Sequence, residues 1–298
     1  MRNFAKSAIL IGIICACAFA GILDRPAGAA EQDQAVLKAD HGFLEALAKG
    51  DKAAVGALLD SNFEWTNADG ETRNRAESLE KLTALAADNQ ADTDVKRHHY
   101  GRLDLIFGHH GEVWFSRTWV KRPAGWRILV DIDTPILAES SARATARSNR
   151  GSAGDCINPC KTVPFTPTTA AEKAALTEWQ KTKVDEWHPN AADWGTHVAN
   201  DFLIIGGRGV YNKTERVARA KREQKAGIGL PGAPILSMTM SDFGNAVVMI
   251  SRHVPYQGGK PYYNFRVFVN QDGHWPIAWS QQTTIRAAAA QSSSSAEK

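Results

Sequence analysis

Hydrophobic spacing along this chain switches between helical and strand rhythm, and the same succession of switches occurs twice. From Gln34 to Lys49 the apolar residues Val36, Leu37, Phe43, Leu44 and Leu47 recur near helical spacing. Gly50 stops this helix, and Asp51 is placed to cap a second one running through Leu59. A short strand, Phe63-Glu-Trp-Thr-Asn, leads into the turn at Asp69-Gly70, and Arg75 to Ala87 reads as a third helix. Strands are predicted near Arg102 to Phe107, Glu112 to Lys121 and Trp126 to Thr134. In the last of these Trp126, Ile128, Val130 and Ile132 alternate with Arg127, Leu129, Asp131 and Asp133. That alternation predicts an antiparallel strand with one face wet, and places both aspartates on the solvent side.

The second half follows the same order. Helices are expected near Ala171 to Trp187 and Ala191 to Ala199, separated by Pro189. A strand at Phe202 to Ile205 precedes a Gly206-Gly-Arg-Gly209 turn, and Asn212 or Thr214 caps a third helix. Strands follow near Ile235 to Ser241, Ala246 to Val254, Tyr262 to Val269 and Trp275 to Ile285. Ser116 to Ile136 aligns without gaps on Phe265 to Ile285, with Arg117/Arg266, Val120/Val269, Trp126/Trp275, Ile128/Ile277, Thr134/Thr283 and Ile136/Ile285 identical. Val36 to Gly70 aligns likewise on Ala175 to Gly209, matching Leu37/Leu176, Ala53/Ala192, Gly56/Gly195, Phe63/Phe202 and Gly70/Gly209. Two blocks in one order indicate an internal duplication. The longer Phe-to-Trp interval of the second copy is expected to hold an added β-hairpin.

The stretches Phe63-Glu-Trp-Thr-Asn-Ala-Asp-Gly-Glu and Trp119-Val-Lys-Arg-Pro-Ala-Gly-Trp-Arg-Ile, set in this helix and strand order, resemble the SnoaL-like branch of the nuclear transport factor 2-like superfamily. Within it they look most like bacterial domains of unknown function. The resemblance covers about Gln34 to Ile136 and Ala171 to Ile285. It implies an α+β fold of two tandem cone-shaped domains, each with three helices packed against a curved antiparallel sheet and a pocket at the open end. It implies no single activity, because the superfamily includes isomerases, dehydratases, cyclases, epoxide hydrolases and plain binding modules. Single cone domains of this kind commonly pair through the outer sheet face. The two copies are therefore expected to form a pseudo-dimer within one monomeric chain. That face is expected to carry Val113, Phe115, Trp119 and Leu129 in the first copy, and Phe268 flanked by Arg266 in the second.

The ends and the middle of the chain read differently. Basic Met1 to Lys6, apolar Ser7 to Leu23 and the small residues Ala27-Gly28-Ala29 form a secretory signal, with cleavage expected after Ala29 or Ala30. The expected organisation is thus a signal peptide at 1–30, a first domain at 31–137, a flexible linker at 138–169, a second domain at 170–286 and a disordered tail at 287–298. Of four cysteines, Cys15 and Cys17 leave with the signal. Cys156 and Cys160 remain, and an oxidising periplasmic or secreted location allows them to pair. The whole chain carries a formal charge of only +3, with no clustered basic face, so nucleic acid is not an expected partner. No membrane association is expected once the signal is removed, and no cofactor motif is present.

No nucleophile–base–orienter set is visible among the polar residues. The superfamily's isomerases use a buried carboxylate base, and its dehydratases often use an Asp–His pair. The candidates here are His98, His99, Arg117, Asp131 and Asp133 in the first copy, and His197, Tyr211, Arg252, His253, Tyr263 and Gln281 in the second. The nine histidines share no ligand spacing, so no metal is expected. Tryptophans are abundant, and amphipathic aromatics line small-molecule pockets as well as cores. The second copy is expected to hold the better cavity. Its walls would be Tyr263, Trp275, Trp279 and Gln281, with Arg252 or His253 as the polar handle; His99 and Trp126 are the candidates in the first copy. An apolar or aromatic small molecule is the expected ligand. An isomerase, dehydratase or hydrolase and a protein-interaction module are the alternatives.

Overall fold

The computed structural model describes residues 27–88, 92–136, 155–229, 233–255 and 260–285, with side chains from residue 34 onward except that of Asp88. The expected leader as far as Pro26, residues 137–154 of the expected linker and the expected tail lie outside the described residues. The first copy runs α1 (Ala27–Ala48), α2 (Lys52–Leu58), β1 (Leu59–Thr66), β2 (Thr72–Asn74), α3 (Arg75–Glu80), α4 (Leu82–Asp88), β3 (Thr93–Tyr100), β4 (Leu103–His110), β5 (Val113–Arg122) and β6 (Gly125–Pro135). The second runs α5 (Ala170–Trp187), α6 (Ala191–Thr196), β7 (Val198–Gly206), β8 (Gly209–Asn212), α7 (Lys213–Lys225), β9 (Ile235–Asp242), β10 (Ala246–His253), β11 (Tyr262–Val269) and β12 (Ile277–Thr284).

Helix starts follow side-chain capping. Asp51 accepts from the Ala54 amide at 3.0 Å. Asn74, Thr169 and Asn212 each form a reciprocal capping box, with Glu77, Glu172 and Glu215. Each copy builds one six-stranded sheet, in the orders β2-β1-β6-β5-β4-β3 and β8-β7-β12-β11-β10-β9. The sheets are mixed and not purely antiparallel as expected, because β1 pairs with β6 and β7 with β12 in parallel. A helix-bearing connection returns each first strand to the last one, which permits the parallel pairing. Among the described residues both sheets have the same six strands, so the extra length of the second copy is not a hairpin. Most of it falls between β10 and β11, at 254–261, where β4 and β5 are joined by 111–112.

One β-bulge in each last strand decides which residues face where. Opposite β5, the register jumps from Thr118↔Val130 to Trp119↔Ile128, leaving Leu129 as the extra residue. Opposite β11, it jumps from Val267↔Trp279 to Phe268↔Ile277, leaving Ala278. An inserted residue reverses the alternation beyond it. Asp131 and Asp133 are therefore buried on the helix-covered face of the first sheet and not on a wet one, which corrects the alternation reading. Trp126 and Ile128 lie before the bulge and pack with Val36, Phe43 and Trp119 in the first helix–sheet core. Trp275 and Ile277 pack with Trp179, Trp194, Met249 and Phe268 in the second.

The opposite faces of the two sheets meet. Leu103, Leu105, Phe107, Val120, Leu129, Val130 and Ile132 form one buried cluster with Val248, Tyr263, Phe265, Val267, Ala278 and Trp279. Polar contacts cross the same seam. Ser116 donates to Gln281 Oε1 at 2.6 Å, and Gln281 Nε2 donates to the Ile132 carbonyl at 3.1 Å and Thr134 Oγ1 at 3.2 Å. The hydroxyls of Thr134 and Thr283 are 2.8 Å apart, and Tyr263 donates to Glu64 at 3.1 Å. Gly70, at φ +77°, lies so close to Thr284 and Ile285 of the second copy that a Cβ there would overlap their backbone. The seam joins the outer sheet faces, but most of the residues foreseen on those faces are not there. Trp119, Phe268 and Arg266 point the other way, toward the helices, and Leu129 reaches the seam only as the bulge residue.

The described part of the expected linker is not free. Cys156 and Cys160 form a disulfide with Cα atoms 5.5 Å apart. The Asn158 side chain donates to the Ile235 carbonyl at 3.1 Å and accepts from the Ile235 amide at 2.9 Å. Val163 and Phe165 pack on the second helix–sheet core. Two apolar residues and one amide suffice to dock a segment whose composition shows no periodicity. Among the described residues, no helix is long and apolar enough to cross a membrane.

Candidate functional site

The two copies place an arginine at one position and surround it differently. In the first, Arg117 on β5 is fully buried on the helix-covered face. Its Nε donates to Asp40 Oδ1 at 2.8 Å, and its Nη2 donates to Asp40 Oδ2 at 3.0 Å and Asp92 Oδ2 at 2.7 Å. Trp119 adds a 2.9 Å hydrogen bond to Asp40 Oδ1. His110, at the end of β4, lies 3.1 Å from Asp92 through Nδ1 and 3.5 Å from Asp133 through Nε2. Burial pulls its pKa down, but Asp133 and Asp92 outweigh that and raise it to about 9. Burial raises the Asp133 carboxyl in spite of His110 and Arg117. Four aspartates, Asp40, Asp92, Asp131 and Asp133, thus enclose two cationic groups.

The second copy inverts this. Asp40 aligns with Trp179, Asp131 with Ser280 and Asp133 with Gln282 in the duplicated blocks, while Arg117 aligns with Arg266. Arg266 is 5% exposed, and its guanidinium carbon sits 5.1 Å from the centre of the Trp179 ring. Among the described residues its hydrogen bonds are one to Ser251 Oγ at 3.3 Å and a long 4.0 Å contact to Met249 Sδ, both through Nη1. The Nε–Nη2 edge, which grips a carboxylate in the first copy, makes no hydrogen bond to a described residue. Burial lowers the Arg266 pKa to about 10, countered by Tyr262 and Glu186. Two residues along β11 the Asn264 amide is 2% exposed, and its Oδ1 has no hydrogen-bond partner.

Neighbouring charges add to the surplus of positive charge. Lys183 on α5 donates to Glu186 at 2.6 Å, yet burial lowers its pKa. Arg216 lies 3.5 Å from Glu186 and 3.3 Å from Glu223, which also accepts from Arg219 at 2.9 Å. Four cations, Lys183, Arg216, Arg219 and Arg266, face two carboxylates. His253, which ends β10 as His110 ends β4, is driven by burial and by Arg266 down to about 3. It is neutral, and its partners set its tautomer: Nδ1 donates to the Ala233 carbonyl at 2.8 Å, and Nε2 accepts from Ser251 at 3.0 Å. A chain of hydrogen bonds from Arg266 through Ser251 and His253 to Ala233 holds the guanidinium in place. His253 stacks on Tyr262 at 4.2 Å.

The residues singled out from the sequence are dispersed. His253 lies at this site and Trp275 in the apolar core beneath it. Tyr263, Trp279 and Gln281 line the seam between the sheets and cannot form pocket walls, because the Ala278 bulge and the strand alternation turn them away. Arg252 is on that same outer face, its charge lowering the pKa of Glu64, which burial raises. His99 is bound to Asp104 at 2.9 Å beside Arg97, and Trp126 is core. Arg266, Trp179 and Asn264 were not singled out as site residues. The one available signal was the duplication itself, in which an aspartate opposite a retained arginine becomes tryptophan.

No protein-family model matches the chain, and no curated protein matches it. Solved structures do. One, a protein of unknown function from the DUF3225 family of Pectobacterium atrosepticum, is 24% identical over 36% of this chain and 92% of its own, with a TM-score of 0.31. A second, a nuclear transport factor 2-like protein with a cystatin-like fold from Novosphingobium aromaticivorans, is 18% identical over 41% and 97%, at 0.31. A third, a nuclear transport factor 2-like protein from Cytophaga hutchinsonii, is 16% identical over 39% and 93%, at 0.30. Each match spans the length of one copy. By its own topology, each half of the chain is an α+β cone of helices on a bent six-stranded mixed sheet, the architecture implied by the resemblance to the nuclear transport factor 2-like superfamily.

Proposed function

We propose that the second copy binds a small carboxylate with a flat apolar body, and that the first copy is its structural partner. The observation carrying this is the buried Arg266 with no carboxylate partner among the described residues. A buried guanidinium is costly unless paired, and the Nε–Nη2 edge of arginine suits a bidentate carboxylate. In the first copy the fold supplies that carboxylate as Asp40; in the second it has to come from a ligand. Trp179, Tyr262 and Met249 supply apolar surface, and the unpaired Asn264 Oδ1 can accept one hydrogen bond from a donor elsewhere on the ligand. The neutral, hydrogen-bonded His253 argues for binding over acid–base catalysis there, since a general base works best with a pKa near the operating pH.

The test is calorimetric titration with a panel of small aromatic and alicyclic carboxylates and their neutral amides. Carboxylates should bind and amides should not. Arg266→Met should weaken binding about tenfold to a hundredfold, the range for a hydrogen bond to a charged group. Equal binding by Arg266→Met, or a preference for the amides, refutes the reading. We propose also that the chain is exported, on the basic–apolar–small pattern of Met1 to Ala30. N-terminal sequencing of protein from a bacterial periplasm should then begin at Ala30 or Glu31; an intact Met1 on soluble protein would refute export.

A further inference from the structure

At the other end of the second sheet three potential metal ligands converge. Glu178 comes from α5, His197 from the cap of α6 and His274 from the turn between β11 and β12. Glu178 Oε1 lies 2.5 Å from His197 Nδ1 and 2.5 Å from His274 Nε2, and the three atoms fall within 4.8 Å of one another. From these contacts we infer a divalent transition-metal site, with Zn2+ as the first choice, held by Glu178, His197 and His274.

The backbone under each ligand is fixed. The His197 carbonyl accepts from the Ile277 amide at 3.0 Å, tying it to β12. The amides and carbonyls of Gln271 and His274 bond to each other at 2.8 and 3.0 Å across Asp272 and Gly273, both at positive φ. Glu178 is buried, His197 is partly buried, and the His274 side chain is 46% exposed, leaving room for water as a fourth ligand. Two imidazoles and one carboxylate oxygen, with an open position, are the donor set of many zinc sites. The present contacts are hydrogen bonds to one oxygen. A cation at about 2.1 Å from each donor replaces the two bonding protons, and requires the donors to spread by about 1 Å.

Independent support comes from the far side of His197. Its Nε2 lies 3.4 Å from Asp185 Oδ2, a buried atom with no hydrogen bond of its own. Metal-bound histidines usually direct their second nitrogen to a carboxylate, which fixes the ring and raises its basicity. Asp185 stands where that role requires. Lys181 holds Glu178 Oε2 at 3.0 Å, so the glutamate offers Oε1 alone. Nitrogen donors favour Zn2+, Cu2+ or Ni2+ over Ca2+ and Mg2+, which prefer all-oxygen sites. The ligands lie far apart in sequence and come from three elements, so no spacing motif announces them.

Zn2+ titration of the chelator-treated full chain, followed by calorimetry and by thermal unfolding, tests the site. One ion per chain should bind and raise the Tm. His274→Gln, at the most exposed ligand, should keep the fold by circular dichroism and lose at least tenfold in affinity. Asp185→Asn should weaken binding about tenfold to a hundredfold, the usual effect of removing an outer-shell partner. Co2+ in place of Zn2+ should give visible bands of tetrahedral intensity that His274→Gln abolishes. Absence of saturable binding, or binding that His274→Gln leaves unchanged, overturns the assignment.

Discussion

His110 and His253 close equivalent strands, yet their surroundings send them to opposite charge states. His110, between Asp92 and Asp133, has its folded pKa raised to about 9. The linked stabilisation is complete below the ordinary value of about 6.5 and is lost as pH rises through 9. The Asp133 contact, at 3.5 Å, is an ion pair and too long for a good hydrogen bond, so the effect is put at about 1–2 kcal/mol. His253, lowered to about 3, has the opposite sign. The unfolded chain takes up its proton near 6.5 and the folded chain does not, so stability falls as pH drops from 6.5 toward 3. Urea denaturation across pH 4 to 10 should show His110→Gln flattening the alkaline limb and His253→Gln the acid limb. If both variants track the wild type at every pH, the assigned protonation states are wrong.

At the scale of elements, single inserted residues and short docked segments matter more than helix propensity. The Leu129 and Ala278 bulges carry two aspartates into one cone and turn Trp279 and Gln281 out of the other. A strict two-residue period cannot reveal them, since a bulge is visible only as a register jump against the partner strand. The segment 155–169 is the second case. Asn158→Ala removes both bonds to the Ile235 backbone and should cost about 1–3 kcal/mol, with loss of order at the start of β9. Thermal unfolding of the variant checks this; an unchanged Tm would mean that the segment adds nothing to the second domain.

Across the whole molecule, the seam between the sheets is a shared core and the cones are separate compartments. Trp279 is fully buried there, 4.7 Å from Phe107 of the other copy. Trp279→Ala should therefore destabilise the chain by about 3–5 kcal/mol, as large-to-small core substitutions do. It should leave carboxylate affinity at Arg266 within about twofold, because binding there does not use the seam. A collapse of affinity in a still-folded Trp279→Ala would place the ligand between the sheets. Small-angle scattering should show a compact monomer, since each outer sheet face already has its partner within the chain. A profile of two separated bodies, or a stable dimer, would contradict that.

Legible in the chain alone were the duplication, the longer helices and strands of each copy and the caps Asp51 and Asn212, while the strands β2, β3 and β8 and the caps Asn74 and Thr169 were not. The legible features depend on local spacing and on side chains that bond within a few residues. Arg117 and Arg266 could be seen to correspond, but not which face they take. Facing depends on bulges, on parallel pairing of β1 with β6 and β7 with β12, and on a second copy burying the outer sheet faces. Partnership is likewise non-local: Asp40 reaches Arg117, and Glu178 reaches His197 and His274, only after folding closes long loops. Tertiary structure alone therefore decided which charges are neutralised and which are left for something outside the chain.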